Sequence, residues 1–279
     1  MTGIRLRTGA PRRAPASPPP PPPSLRSQSP GSGALAASLA EHAAAPPRSR
    51  LGRFAGLAPL GAPAAAWYER ARIERDAADL LRRLPADWTV LHSVPLDGPV
   101  VPHLLVGPAG VFALFPEPRP RASVWVSADL LSVDGAGSDA VAAAESVVPA
   151  IRERLAAVLR GGVPVVPIVA FPAPERVVVR TPPTSARVLP LEDVVPWLRS
   201  LREVCSAVIV DRIADAAAVP ETWGAEGPLD DGFGALQAEL AEADRRWART
   251  VRAIVAGSPA LLAAGAAVGA LVLGAFFAR

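Results

Sequence analysis

Acids and histidines are the side chains of this 279-residue chain whose types could do chemistry, Glu74, Asp97 and Glu117 as carboxylates and His103 as an imidazole. Carboxylate oxygens suit Mg²⁺, which polarises a phosphate ester and stabilises the charge that develops on it. One carboxylate is a poor site for an ion that demands near-octahedral geometry, so a working centre would need all three acids to converge. Each residue also has a plainer reading. Glu74 can be a helix acid paired with Arg70 or Arg75 at neighbouring helical positions, and His103 can be a hydrogen-bonded structural histidine. His92 falls in a strand with no Cys or His at ligand spacing, which leaves zinc without support. Sequence alone therefore assigns no catalytic, cofactor-binding or metal residue.

Other chemistries fare no better. Gly161-Gly162 lacks the Gly-Lys-Ser/Thr ending of a phosphate loop, and no Gly-x-Ser-x-Gly elbow occurs. The single Cys205 excludes an intrachain disulfide framework and a thiolate metal cluster, and reads as a small core residue in a reducing cytoplasm. There is no Lys and no Asn, so all 29 basic residues are Arg, the coding bias of a GC-rich, bacterial genome. Residues 1–60 carry eight Arg and one Glu, a net +7, whereas residues 69–231 carry 16 Arg and 22 acids, a net −6. The pI of about 10.2 thus belongs to the tail, and the rest lacks the positive field that draws in nucleic acid.

The elements that must position these residues follow from patterning. Residues 1–60, with Pro18 to Pro23 among Ser, Gly, Ala and Arg, read as a disordered spacer or an over-extended gene start. From Trp67 to Leu84 apolar residues recur at helical spacing until Pro85 stops them. Residues 88–96 predict a strand, and Val100 to Phe115 predict a hairpin turning at Gly107-Pro108-Ala109-Gly110. A fourth strand over 123–131, a long Ala-rich helix over 138–159 and a buried strand over 163–170 come next. A short strand over 176–180 and a helix over 191–202 complete the unit, and residues 215–232 read as a linker. The order α-β-β-β-α-β predicts a mixed α/β (α+β) domain over residues 65–214.

Beyond the linker, 233–252 predicts a polar amphipathic helix, and 253–278 is a run of 26 residues without a charge. As a helix that run would be about 39 Å long, enough to cross a hydrocarbon core of about 30 Å. Arg245, Arg246, Arg249 and Arg252 precede it and only Arg279 follows, so the positive-inside rule predicts a single-pass tail anchor in the cytoplasmic membrane with the preceding residues in the cytoplasm. Gly265 and Gly269 form a GxxxG pair through which two such helices could approach as a homodimer.

The stretch from Glu74 to about Leu201 resembles the NERD (nuclease-related) domain, a relative of the restriction-endonuclease-like nucleases. The resemblance rests on the helix acid Glu74, the strand Trp88-Thr-Val-Leu-His92, and above all Val101-Pro-His-Leu-Leu-Val-Gly-Pro-Ala-Gly-Val-Phe112. It implies a mixed sheet flanked by helices, with an Asp on the first hairpin strand and an acid-x-Lys on the second converging on a divalent metal near the helix Glu. Here Pro102 stands at the Asp position, and Phe115-Pro116-Glu117 stands where the acid-x-Lys would be, so that only Glu74 and His103 match. The expectation is a membrane-tethered, catalytically inactive relative that serves as a binding or scaffolding module for a protein partner. The alternative is a divergent Mg²⁺-dependent nuclease acting on DNA or RNA near the membrane, with its site rebuilt from Glu74, Asp97 and Glu117.

Overall fold

The computed structural model describes residues 24–45, 60–96, 98–128, 130–156 and 163–224, together with 238, 241, 242, 245 and 249. Asp97, Gly161-Gly162 and the apolar run 253–278 with Gly265 and Gly269 lie outside the described residues. Among those described, no helix is long and apolar enough to cross a membrane.

The fold is mixed α/β: two mixed sheets flanked by helices. Helix α1 (Ser32–Ala44) precedes α2 (Ala62–Leu81), which starts five residues before the expected Trp67. Pro63 sits in its first turn, where the missing N–H has no intrahelical partner to lose and the fixed φ suits a helix. The buried stripe of α2 runs through Ala64, Ala71, Glu74, Ala77, Ala78 and Leu81, mostly small residues that bring the backbone close to its neighbours.

Strands β1 (Thr89–Pro95), β2 (Val100–Gly107) and β3 (Gly110–Pro116) form an antiparallel meander, as the hairpin spacing predicts. The second sheet begins with β4 (Ser123–Ser127), β5 (Leu130–Val133) and β6 (Ala136–Ser138). The strand expected over 123–131 is therefore cut short at Ala128, whose φ of 50° turns the chain into β5. The helix expected over 138–159 is in fact two, α3 (Ala140–Ser146) and α4 (Val148–Arg154), parted at Val147. Pro149 lies in the first turn of α4; it has no N–H to extend the earlier helix, and its ring would press on the preceding turn.

Strand β7 (Val165–Phe171) is the expected apolar run; it pairs parallel to β3 and, on its other side, parallel to β9 (Arg187–Pro190), giving the order β1-β2-β3-β7-β9. Strand β8 (Arg176–Thr181) pairs parallel to β4 and completes the second sheet, β6-β5-β4-β8. The helix expected over 191–202 is a 3₁₀ turn, Leu191–Asp193, leading into α5 (Val194–Ser200).

Two boundaries differ from the sequence expectation. Residues 24–45 are not a disordered tail: Leu25 is fully buried in the main core, and Leu35 packs with Ala64 and Ala71 of α2. Averaged with the polyproline stretch, the composition of 1–60 hides a 13-residue Ala-rich segment that buries one face through Ser32, Ala34, Leu35 and Ser38. Ser93 supplies the anchor. It lies between the paired positions His92–His103 and Val94–Val101, opposite Pro102, which has no N–H to give. Its carbonyl accepts instead from Gln28 Nε2 at 3.0 Å, and its hydroxyl accepts from the Gly33 N–H at 3.2 Å.

Nor is 215–232 a linker throughout. Helix α6 (Ala207–Ala218) buries Ala214, Ala217 and Ala218, and a 3₁₀ turn then seats Trp223 in the core with its Nε1 donating to the Ala217 carbonyl at 2.8 Å. The folded unit thus runs at least to Gly224. Of the expected helix over 233–252, the described residues are helical, and Arg245 and Arg249 pair with Glu242 at 2.9 and 3.0 Å.

Candidate functional site

The β2–β3 register sets Leu104 opposite Ala113 and His103 opposite Leu114, so Pro102 lies next to Phe115 at the open end of the hairpin. Above this end pass α2 and α1, and α3 closes the side. Between them lies a cleft of about 510 Å³. Its charged lining residues are Arg70, Glu74, Glu117 and Asp139; its apolar walls include Ala34 and Ala37 of α1 and Ala140, Ala143 and Ala144 of α3, with Trp67 at the mouth. Glu74, Pro102, Phe115 and Glu117, up to 43 residues apart in sequence, line this one cleft.

Glu74 is 3% exposed, on the packed stripe of α2. Among the described residues its carboxyl has no hydrogen-bond partner, so burial dominates its ionisation and pushes its pKa up from 4.5 to about 7, the Arg70 guanidinium offsetting only part. Glu117 follows the last residue of β3 and is half-buried; its N–H donates to the Ala170 carbonyl at 2.8 Å. Burial raises its pKa as well, Arg70 and Arg119 oppose this, and the Asp139 carboxylate adds to it. Arg70 therefore acts on both glutamates, while its guanidinium carbon stands 5.8 Å from the Trp67 ring centroid.

His103, fully buried behind Glu74, meets His92 directly across the β1–β2 ladder, Nδ1 to Nδ1 at 2.8 Å, the rings edge to face. Two imidazoles at that separation hold one proton between them, one nitrogen donating and the other accepting. Burial lowers the His92 pKa from 6.5 to about 4, with Arg82 adding to the effect. His103 falls well below 6.5, through burial first and then through His92, against a weaker upward pull from the backbone of Glu74. Its Nε2 is buried and meets no acceptor or donor at hydrogen-bond geometry. The pair is neutral at pH 7, with His103 fully buried and His92 half-buried.

Of the residues proposed for a rebuilt triad, Glu74 and Glu117 line the same cleft, and Asp97 lies outside the described residues. Among the described residues no three His, Cys, Asp or Glu side chains come close enough to hold one metal ion. The predicted pairing of Glu74 with Arg70 is an influence through space without a hydrogen bond, and Arg75 gives it none. Sequence reasoning missed Asp139 and the wall from α1. Asp139 held a readable signal, an acid just ahead of an Ala-rich helix, yet it makes no capping hydrogen bond from that position and its side chain is left to the cleft. Cys205 is buried, its thiol pKa raised by burial, and its N–H donates to the Pro108 carbonyl at 2.9 Å; it is a packing residue. No protein-family model, curated protein or solved structure matches the chain.

Proposed function

We propose that this chain is a nuclease-related domain, of the NERD and restriction-endonuclease-like kind, that has lost catalysis and kept its cleft as a binding site, tethered to the cytoplasmic membrane through residues 253–278. One observation carries the reading. The four positions that the resemblance assigns to the nuclease centre, Glu74, Pro102, Phe115 and Glu117, line a single cleft. Pro102, Phe115 and Glu117 meet there through the hairpin register, and Glu74 joins them from α2.

Inactivity follows from side-chain chemistry at those positions. Proline and phenylalanine offer no ligand oxygen, the glutamate at 117 replaces the expected cation with an acid, and no Lys exists in the chain to take its place. A Mg²⁺ ion would find only separated carboxylates, one of them half protonated at neutral pH. Binding accounts for what remains. A buried, unpartnered carboxyl costs stability, and groups of this kind cluster at binding and catalytic sites.

Titration of Mg²⁺ and Mn²⁺ into the full-length chain in mild detergent, followed by assays on single- and double-stranded DNA and on RNA at low salt, tests this. No cleavage is expected, and no metal affinity that depends on Glu74. Metal-dependent cleavage abolished by Glu74→Gln would establish the divergent nuclease instead.

A further inference from the structure

We infer that the cleft receives an organic cation: a guanidinium or primary ammonium group on an aliphatic stem, with Glu74 and Glu117 as its acceptors and Arg70 as the resident cation it competes with. The inference rests on reading the cleft as a binding site, and it names the chemistry bound there.

Charge sets the sign of the ligand. Three acids, Glu74, Glu117 and Asp139, face one base, Arg70, so the ionised lining is net negative and an anion would meet repulsion from most of it. The acids are graded by depth: Glu74 is buried at the base, Glu117 half-buried and Asp139 exposed at the rim. The carboxyl of Glu74 lines the cleft without any hydrogen-bond partner among the described residues, an acceptor left open at the end of the slot.

Spacing sets the size. The acids are too dispersed for three of them to ligate one ion, whereas a guanidinium spreads five N–H donors over a plane and an ammonium three. A volume of about 510 Å³ lies within the range of small-molecule sites and exceeds what a single ion fills. The alanines of α1 and α3 offer an apolar channel for the stem. Arg70, poised over the Trp67 ring, shows that the mouth already accommodates a guanidinium. Entry of a cation favours the ionised form of Glu74, so binding strengthens as pH rises through about 7, with Glu117, Asp139, Arg70 and Arg119 as the other charged groups acting around the site.

The experiment is calorimetric titration of the full-length chain in mild detergent at pH 8 with n-butylguanidinium and n-butylammonium, with inorganic phosphate as the anionic control. Saturable binding of a cation is expected, weakened about tenfold or more by Glu117→Gln or by Glu74→Gln, as loss of a charge-assisted hydrogen bond predicts. Arg70→Gln should tighten it by roughly two- to fivefold, the effect of removing one partly exposed like charge. Glu74→Gln is isosteric, and if it fails to fold, Glu117→Gln at the half-buried position carries the same test. A free ligand is the source where butylguanidinium binds as well as a short peptide with an internal arginine, and a protein side chain is the source where the peptide binds much more tightly. Failure of both cations to bind overturns the inference, as does phosphate binding that Arg70→Gln abolishes. Glu74-dependent DNA cleavage in the parallel nuclease assay would remove the underlying reading, whereas silence there together with absent cation binding would remove this inference alone.

Discussion

The two ends of the β2–β3 hairpin are built to opposite specifications. At the turn, Trp88 lies against Gly107, where any Cβ would collide with the indole, and Gly110 takes a φ of 124° that a side chain would strain. Phe112 packs between Trp88 and Trp197, both ring centroids 5.8 Å away, and the N–H groups of Val204 and Cys205 both donate to the Pro108 carbonyl. At the open end the cleft lies over the same ladder, where His103 Nε2 is buried and unpaired and the buried Glu74 carboxyl has no hydrogen-bond partner among the described residues. Native interiors satisfy nearly all their buried polar groups, which makes the open end the candidate site. The turn end is packed to hold the fold, and the open end carries the proposed site.

Cutting into the turn end should produce the largest effect. Phe112→Ala removes a buried ring from an aromatic cluster and is expected to destabilise the protein by about 3–5 kcal/mol, seen as a lowered denaturant midpoint. A loss below about 1 kcal/mol would mean that this end is not the packed anchor described.

At the open end the sign reverses. With its pKa raised from 4.5 to about 7, Glu74 gives stability that is complete below pH 4.5 and is lost as pH rises through 7. Glu74→Gln, which stays neutral, should therefore be more stable than the parent at pH 8 by up to about 3 kcal/mol, with the difference vanishing near pH 4. Thermal melts of both proteins across that range would show it, and an equal gap at both pH values would contradict it.

The histidine pair acts in the other direction and at lower pH. Because the folded pKa of His92 is about 4 and the unfolded value 6.5, stability is full above 6.5 and is lost as pH falls toward 4. His92→Gln should flatten that acid limb; an unchanged limb would assign it to other groups. The smallest effect belongs to the exposed ion pair between Arg26 and Asp215, 2.8 Å apart, where Arg26→Ala should cost less than about 1 kcal/mol.

What could be read from sequence divides along the same line. The meander, the buried β7 and the helix bearing Glu74 were legible, because period-2 and period-3.6 patterning and the Gly-Pro-Ala-Gly turn act locally. The break at Val147 was written in Pro149 and overlooked within an Ala-rich run. The order of residues 24–45 was not legible, since it depends on Ser93 and Gln28, 65 residues apart, and on a core that Leu25 helps to fill. Trp223 illustrates the same limit, a buried anchor in a stretch whose Gly, Pro and acids read as a linker. Among the residues that line the cleft, Glu74 was singled out because it matches a nuclease pattern, and Glu117 because it stands where that pattern has a Lys. Asp139 and the alanine walls were not, because a cleft is a property of packing between elements.

The most direct test of the account is the ionisation of Glu74 itself, followed by carboxyl ¹³C NMR of the glutamate-labelled full-length chain, with Glu74→Gln to assign the signal. A midpoint near 7 that falls when butylguanidinium is added is the predicted result. A midpoint near 4.5, unmoved by the cation, would show a solvated or paired carboxylate and contradict the claim that this cleft keeps a buried acceptor open for a ligand.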